Sequence, residues 1–511
     1  MTAPAASGAA RHSYRQILRS STLVGSAALL QMAIGLVRTK AFAIWLGPAG
    51  LGLMSVLSTV LDLARSMAGL GLNQSGVRQI AASAATGESE RIGRTAAALR
   101  WTAAVLGFGG ALVLATAAPW VSQLTFGTVA RAPEVMWLGA ALALRLLADG
   151  HGALVHGLRR IGDMTRADLL AAALGSVLAI VLVRLWQEDG VAPALVTIAA
   201  LSALTSWWMA RRATRTLRLQ PTPLSALPAE ARALLVGGLA LMGSGLLTLG
   251  AAWAVRLVLV RHAGLAEAGL FQSAWTLGGL LVGVVVQAMG ADYYPRLVGV
   301  AQDDAAANRL VNEQMLVNLL LGGVGVLATM SLAPVLLPLL YSRAFEGAQE
   351  TLRWICLGMA LRVVTWPMGT LLVAKGVQAR LLAADAVWAL TWLGLAWVLV
   401  ARVGPAGAGI AFFVAYGVQA ALLMPMVRAL SGLHWTAPNR RLGTTMALLI
   451  AVVFVAGSTL PRPAAMAVGL VATAAAALLA LHVLRAAVSP QALPPRLRRW
   501  LAGPQPQGEE P

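Results

Sequence analysis

Six cations interrupt otherwise apolar stretches of the sequence: Arg38, Lys40, Arg65, Arg145, Arg256 and Arg362. The first two lie in LVRTKAF, within an apolar run from Leu23 to Leu46. A cation at the centre of a bilayer costs roughly 2.5–3.5 kcal/mol on insertion scales, so such residues normally have a function or a partner. The planar guanidinium group matches phosphate geometry. We therefore predict that these cations line a hydrated cleft that binds a phosphate-bearing anion.

Carboxylates are fewer in these stretches. Asp62 and Arg65 are three residues apart, and Arg145 and Asp149 are four apart, so each pair can share one face of a helix. Asp292 and Asp385 lie near the cytoplasmic ends of their predicted spans. One interpretation is that the two pairs only reduce the cost of insertion, while Arg38 and Lys40 extend towards the interface. Pairing cannot neutralise the whole set, because the cations outnumber the acids.

Other reactive constellations are missing from the sequence. Neither lysine follows a glycine, so the sequence has no phosphate-binding loop of the Walker A type. His151 and His156 lack the spacing of a metal site, and we interpret them as cleft or packing residues, with proton transfer as the alternative. The single cysteine, Cys356, excludes an internal disulfide. We predict no catalytic residue, no metal and no cofactor, with a proton or ion gradient as a possible energy source.

The composition of the chain indicates that membrane-spanning helices position these charges. The chain has 511 residues, of which 58% are hydrophobic and 12% charged, and its mean hydropathy is +0.75. Such values are typical of a polytopic helical membrane protein. The net charge of +19 does not indicate nucleic acid, because the arginines are spread over short loops. We predict fourteen spans, near 20–46, 50–72, 96–118, 134–157, 165–186, 191–210, 233–260, 266–290, 314–340, 351–374, 380–402, 405–427, 442–460 and 464–485.

The distribution of basic residues predicts the orientation. Most of the 39 Lys and Arg residues fall in the N-terminus and in every second loop. The opposite loops are short and hold only Arg131, Arg261, Arg343, Arg353, Arg402 and Arg462. Because cytoplasmic loops carry the excess of basic residues, both termini are predicted to be cytoplasmic.

An internal repeat predicts two lobes. Residues 138–190 and 357–409 match at an offset of 219, including Gly139 with Gly358 and Gly190 with Gly409. Arg38 aligns with Arg256 at 218, and Arg145 with Arg362 at 217. Two lobes of even span number share one topology and face each other across a cleft. The predicted organisation is a cytoplasmic tail (1–16), an N-terminal six-helix lobe (17–218), a cytoplasmic linker (219–231), a C-terminal six-helix lobe (232–430), two additional helices (431–486) and a disordered tail (487–511).

Five stretches of the sequence are distinctive in their order and spacing: KAFAIWLGPAGLGLMSVLSTV, AGLGLNQSGVRQIA, AGLFQSAWTLGG, MGADYYPRLVGVAQDD and LRVVTWPMGTLLVAKG. Together they resemble the bacterial O-antigen flippases of the multidrug/oligosaccharidyl-lipid/polysaccharide exporter superfamily, which implies a location in the bacterial inner membrane. The resemblance implies an all-α, two-lobed, alternating-access transporter of an undecaprenyl-pyrophosphate-linked oligosaccharide. It also implies that the cleft cations bind this substrate, and that acids serve in gating or proton coupling, for which we nominate Asp62, Asp149, Asp292 and Asp385.

The implied partners are the lipid-linked oligosaccharide, membrane lipids and a polysaccharide polymerase with its chain-length machinery. The transporter itself would be a monomer. Two alternatives from the same superfamily stay open: a peptidoglycan-precursor flippase, which also has fourteen spans, and a multidrug or metabolite exporter. A membrane-embedded glycan polymerase or ligase would need a larger external loop than residues 119–134 provide, and a structural scaffold would not need intramembrane cations.

Overall fold

A computed structural model of the chain describes residues 6–215, 227–239 and 242–487, and every regular element in these ranges is a helix. The helices are α1 (Ala6–Gly69), α2 (Leu72–Thr86), α3 (Ser89–Thr116), α4 (Ala118–Phe126), α5 (Ala132–Gly157), α6 (Ile161–Trp186), α7 (Val191–Arg215), α8 (Leu227–Leu239), α9 (Gly243–Ala263), α10 (Leu265–Gly299), α11 (Asp304–Leu340), α12 (Gln349–Ala374), α13 (Gln378–Val403), α14 (Pro405–Ser431), α15 (Ala437–Thr459) and α16 (Arg462–Ala487). Short 3₁₀ turns cover Gln187–Gly190 and Arg343–Ala348.

Twelve helical stretches of the described chain are long and apolar enough to cross a membrane. Two of them contain an internal break, at Gly47 in α1 and at the 3₁₀ turn between α6 and α7. These breaks divide the twelve stretches into the fourteen segments that the sequence predicts. Large apolar side chains on the helix surfaces remain exposed, among them Leu112, Leu185, Leu390 and Leu478. Exposed apolar faces on helices of this length are suited to lipid, so the protein is a multi-pass membrane protein.

The break in α1 has a counterpart further along the chain. Gly47 has φ 64° and ψ −165°, and Gly264, between α9 and α10, has φ 90° and ψ 174°. This region of backbone space is essentially restricted to glycine. Pro48 follows the first break, where its fixed φ suits the first position of a new helix. The two breaks are separated by 217 residues, which identifies them as equivalent points of a repeat.

The same interval of 217 relates other elements, and it corrects the predicted offset of 219. Helices α5 and α12 have 26 residues each, as do α6 and α13, and their first residues are 217 apart in both pairs. The left-handed residues that end them are also 217 apart: Arg159 with Gly376, and Gln187 with Gly404. The glycine pairs at 219 were wrong by two positions, because glycines recur at close helix contacts in both halves.

The corrected register separates the two predicted pairs of cations. Arg145 and Arg362 remain equivalent at 217. Arg38 and Arg256, at 218, are displaced by one residue relative to their helix breaks, which turns one side chain by about 100° around its helix relative to the other. The surroundings of Arg38 and Arg256 can therefore differ.

Two glycines at this interval contact each other with local two-fold symmetry. A Cβ on Gly52 would overlap the carbonyl of Leu265, and a Cβ on Gly269 would overlap the carbonyl of Pro48. Pro48 and Leu265 are themselves 217 residues apart. The helices that follow the two breaks therefore cross with their backbones in contact, which only glycine permits at these positions.

The chain divides into two compact units. The first comprises Met1–Trp275, Leu337–Thr351 and Leu382–Val418; its interior contains Leu53, Leu57, Leu138 and Val183 in one apolar cluster and Ile80, Leu99 and Leu154 in another. The second comprises Thr276–Leu336, Leu352–Leu381 and Gln419–Pro511; in it α15 packs on α16, and Trp354 meets Phe454 edge to face. The predicted lobe limits at 218 and 232 stay a prediction. Residues 1–5 of the predicted N-terminal tail, 219–226 of the linker and 488–511 of the predicted disordered tail lie outside the described residues.

Candidate functional site

A cavity of about 500 Å³ lies in the first unit, where α1 ends and α2 begins. One wall is polar and includes Asp62, Arg65, Asn73, Gln74 and Asp149. The facing wall comes from the start of α9, which presents Met242, Gly245 and Leu249. These three residues follow helical spacing on one face of α9, so the cavity combines a charged side with an apolar side.

Arg65 and Asp149 form the central ion pair of this cavity. Nε of Arg65 donates to Oδ2 of Asp149 at 2.7 Å, and Nη2 donates to Oδ1 at 2.5 Å. Both oxygens of the carboxylate are thus engaged by one guanidinium, the strongest geometry for such a pair. The Arg65 side chain remains 37% exposed and that of Asp149 16%. The pair fixes the guanidinium at the cavity wall without removing it from the cavity.

This pair replaces the two pairs considered from the sequence. Within the described residues, neither Asp62 with Arg65 nor Arg145 with Asp149 comes within ion-pairing distance. The reason is that Arg65 reaches from α1 to α5, where its planar fork meets both oxygens of one carboxylate. The interpretation that each helix neutralises its own charge to ease insertion was therefore wrong for these residues.

A tight turn between α1 and α2 positions the amide side chains. Leu70 (φ 46°) and Gly71 (φ 68°) are both left-handed, and α2 starts directly after them. A Cβ on Gly71 would overlap the backbone of Gly238 in α8, so glycine is needed for space as well as for conformation. The turn brings Asn73 back onto α5, where its Nδ2 donates to the carbonyl of Asp149 at 3.1 Å.

Further charges surround the pair. Asp62 is exposed, lines the cavity and lies within electrostatic range of Arg65, Arg145 and Arg256. Arg145 in turn lies within range of Arg38. Counted together, four arginines and two aspartates form one connected cluster in the first unit: Arg38, Arg65, Arg145, Arg256, Asp62 and Asp149. We call it the charge cluster; its formal surplus of positive charge is the property predicted for the cleft.

Arg256 occupies a different environment within this cluster. Its residue is 5% exposed, and its guanidinium donates to Ser55 Oγ (2.9 Å), to the Ala252 carbonyl (2.9 Å) and to Gln272 Oε1 (2.7 Å). The rings of Phe271 and Trp275 lie 5.8 and 5.9 Å from its Cζ. All three guanidinium nitrogens are thus occupied by neutral acceptors. In this structure Arg256 does not line the cavity, and its predicted role in substrate binding stays a prediction.

The two cations of the opening motif lie on different faces of α1. Nε of Arg38 is buried without a hydrogen-bond partner among the described residues. Lys40 is exposed and follows Val37 and precedes Ile44 on one exposed stripe of the helix, with side chains suited to lipid. Extension towards the interface, the alternative considered for both residues, fits the position of Lys40 but not that of Arg38.

The other predicted residues lie apart from the cavity lining. Arg362 is half-buried in α12 and Asp292, exposed in α10, accepts a hydrogen bond from Arg296 at 3.1 Å; both belong to the second unit. Asp385 is half-buried in α13. His156 is exposed, and His151 lines a second cavity. Their predicted roles stay predictions.

Sequence reasoning missed several polar residues that hold this site together. Asn73 and Gln74 line the cavity, and Ser55 and Gln272 hold Arg256, with Ser55 Oγ also donating to Gln272 Oε1 at 2.7 Å. One signal was available: uncharged polar residues inside an apolar span are themselves costly to bury without partners. A buried cation requires hydrogen-bond acceptors, and such uncharged polar residues are not found by looking for cations alone.

Solved transporters of the MOP superfamily have a similar fold. The chain is similar to a multidrug resistance MATE family transporter in its inward-facing conformation, with a TM-score of 0.64 and 17% identity over 79% of this chain and 94% of that one. It is similar to the lipid II flippase MurJ in an inward closed conformation, with a TM-score of 0.68 and 12% identity over 91% and 99% of the two chains. A MOP superfamily transporter from Pyrococcus furiosus Vc1, described as having a binding pocket of reverse polarity, has a TM-score of 0.55 and 16% identity over 81% and 95%.

The predicted fold class is confirmed: an all-α polytopic membrane protein with two six-helix lobes and two additional C-terminal helices. The chain belongs to the polysaccharide biosynthesis protein family, whose model matches residues 17–300, more than half of its length. No curated protein sequence matches it.

Proposed function

We propose that this protein is a flippase for an undecaprenyl-pyrophosphate-linked oligosaccharide, an O-antigen or related surface-polysaccharide unit. It moves this lipid from the cytoplasmic to the periplasmic leaflet of the bacterial inner membrane by alternating access. The observation that carries the proposal is the charge cluster beside a cavity of about 500 Å³. Membership of the polysaccharide biosynthesis family supports the same substrate class, and the lipid II flippase MurJ is an example of a similar fold that moves a lipid-linked substrate.

The chemistry of such a lipid explains the composition of the cavity. A diphosphate carries the charge that a surplus of arginines complements, and the partly exposed fork of Arg65 is available to a phosphate oxygen. Each sugar hydroxyl would lose its water in hydrocarbon, at a cost of roughly 2–7 kcal/mol per unpaired polar group. Asn73 and Gln74 supply replacement hydrogen bonds at the cavity wall. The polyprenyl tail needs no such wall and can stay in lipid.

Asp62 is the residue of this site best placed to couple transport to an ion gradient. It is exposed to the cavity and surrounded by three arginines within electrostatic range. The protonation equilibrium of a carboxylate in such a position changes when a negatively charged substrate binds, because each negative charge raises the electrostatic energy of the other. A proton or another cation taken up at Asp62 would compensate the charge of the diphosphate.

The remaining features of the proposal follow from the sequence. Both termini are cytoplasmic by the distribution of basic residues. The protein works as a monomer, with a polysaccharide polymerase and its chain-length machinery acting on the delivered product. A multidrug exporter of organic cations would instead favour an acidic cavity, and the charge cluster has the opposite balance. The substrate of a peptidoglycan-precursor flippase has the same diphosphate and differs in the group attached to it.

Transport by the purified protein tests the proposal. Proteoliposomes would receive a fluorescent undecaprenyl-pyrophosphate oligosaccharide, and transfer would be followed by quenching from one side. The wild-type chain, Arg65→Gln and Arg212→Gln are compared; Arg65 lines the cavity, whereas Arg212 is an exposed arginine of α7 that does not. Loss of one charged contact to phosphate, worth about 1.5–3 kcal/mol, should slow transfer by Arg65→Gln at least tenfold.

The control variant should transfer the lipid at the wild-type rate. A wild-type protein that moves a cationic dye but not the lipid-linked oligosaccharide would contradict the proposal and favour a drug exporter. A wild-type protein that moves only the lipid-linked peptidoglycan precursor would replace the proposed glycan with that of the alternative flippase. In cells, removal of the chain should cause the lipid-linked unit to accumulate on the cytoplasmic side.

A further inference from the structure

A second cavity, of about 250 Å³, lies in the first unit between α3, α5 and α7. Its polar lining consists of Arg100, His151, Trp207, Arg211 and Thr214. None of these residues lines the larger cavity or belongs to the charge cluster. The proposed transport cycle therefore leaves this second group of basic residues without a role.

Its place in the helices puts the cavity near one face of the membrane. Arg100 lies near the start of the apolar part of α3, His151 is within two turns of the end of α5, and Arg211 is in the last two turns of α7. The loops at these ends hold most of the basic residues, so this is the predicted cytoplasmic side. Trp207 is 42% exposed at the same level, where aromatic rings commonly mark the headgroup region.

The positive charge of this cavity is not compensated by acids. Within the described residues, neither Arg100 nor Arg211 has a carboxylate at ion-pairing distance, whereas the neighbouring Arg91 and Arg94 do. No Asp or Glu is among the lining residues. His151 lies within electrostatic range of Arg100 and adds an imidazole to the lining, so the positive charge comes from the two arginines. Cations held together without counter-charges attract an anion from outside the protein.

Contacts around this cavity also restrict the positions of its side chains. The Cζ atom of Arg211 lies 5.3 Å from the Trp207 ring centroid, and this stacking restricts the position of the guanidinium. Nδ1 of His151 is turned into the protein near the Leu147 carbonyl, without a well-formed hydrogen bond, so another edge of the ring lines the cavity. The Thr214 hydroxyl borders the cavity and donates to the Arg211 carbonyl at 3.0 Å, which fixes its position. Two guanidinium groups and an imidazole are donors that suit a phosphate group.

We propose that this cavity binds the phosphate group of an anionic membrane lipid from the cytoplasmic leaflet. Basic pockets between membrane helices on this side bind anionic headgroups elsewhere, by the same electrostatics. Free phosphate offers the same chemistry without the acyl chains, and the test separates these two sources. The proposal does not depend on the identity of the transported substrate.

Native mass spectrometry of the full-length protein in detergent measures the binding. Phosphatidylglycerol and phosphatidylcholine are offered in equal amounts, and a parallel titration offers inorganic phosphate at constant ionic strength. The wild-type chain should retain phosphatidylglycerol at least tenfold more than phosphatidylcholine. Arg100→Gln with Arg211→Gln should reduce this retention at least tenfold.

The matched control removes the same number of charges from the same two helices outside the cavity: Arg91→Gln with Arg212→Gln. Its retention should equal that of the wild-type chain. Equal loss in both double variants, or no loss in the cavity variant, would overturn the proposal. Retention of inorganic phosphate with no preference between the lipids would overturn the lipid source and leave a soluble phosphate site. If the cavity double variant melts early, Arg211→Gln alone and Arg211→Lys replace it, with lysine retaining the charge and part of the binding.

Discussion

Arg65 and Arg256 belong to the same unit and the same charge cluster, yet the structure compensates their charges in opposite ways. Arg65 faces a carboxylate, is 37% exposed and borders an open cavity. Arg256 is 5% exposed, and its partners are a hydroxyl, a carbonyl, an amide and two aromatic rings, all neutral. One cation is paired and accessible, and the other is unpaired and enclosed.

The difference separates a cation that can meet a ligand from one that organises the protein. Each guanidinium nitrogen of Arg256 already donates to a neutral acceptor and the residue is 5% exposed, so a substrate could reach it only after Ser55 or Gln272 had moved away. Arg65 has spare donors at the cavity, and its carboxylate partner fixes its direction. Residue type, which is the same for both, does not distinguish these roles.

Arg256→Ala should have the largest effect on stability. It removes three hydrogen bonds and the ring contacts and leaves a cavity, which should lower the free energy of unfolding by about 3–5 kcal/mol. Thermal melting in detergent and the amount of protein in membranes measure the loss. Arg261→Ala is the control on the same helix: Arg261 is exposed and donates to the carbonyls of Gln123 and Leu124, so about 1 kcal/mol is expected. Normal melting of Arg256→Ala without transport would instead make Arg256 a ligand-binding residue.

Arg65→Gln should affect transport more than stability. The side chain is partly exposed, so abundance should remain near the wild-type level while transfer falls at least tenfold, because a charged contact is worth about 1.5–3 kcal/mol. The double variant Arg65→Gln with Asp149→Asn removes the whole ion pair. If the pair served only to reduce the insertion cost, the double variant would transport normally. Continued loss of transport in the double variant assigns the cation to the substrate.

Asn73→Ala should have an intermediate effect at the same cavity. It removes the hydrogen bond from Nδ2 to the Asp149 carbonyl, which should cost about 1 kcal/mol of stability. Because that bond ties α2 to α5, transport should fall several-fold with little change in abundance. Gln79→Ala, in the same helix but outside the cavity lining, is the control. Equal effects of the two substitutions would show that α2 as a whole, rather than Asn73, supports the site.

Lys40→Met should have the smallest effect. Lys40 lies on an exposed apolar stripe of α1, so its replacement should change stability by no more than about 0.5 kcal/mol and leave transport unchanged. The transfer assay and detergent melting measure both. Lost transport at normal abundance would show that this stripe faces the transport pathway and would return Lys40 to the substrate-binding set.

Much of the architecture could be predicted from the sequence, and the errors have identifiable causes. The apolar stretches predicted fourteen spans, which the helices match once the breaks at Gly47 and at Gln187–Gly190 are counted. The repeat was detected with the wrong register, because glycine identity followed local packing in each half. Backbone conformation gave the register of 217, since Gly47 and Gly264 need φ values that other residues rarely adopt.

The charged residues separate what the sequence could predict from what only the tertiary structure decided. The sequence by itself determined that cations outnumber acids inside the spans, because residues within apolar stretches can be counted without knowing how the helices pack. Only the tertiary structure decided that Arg65 pairs with Asp149, 84 residues away, and that Arg256 is enclosed by Ser55 and Gln272. The physical reason is that a long guanidinium side chain reaches several helices, and which acceptor it meets depends on how those helices pack.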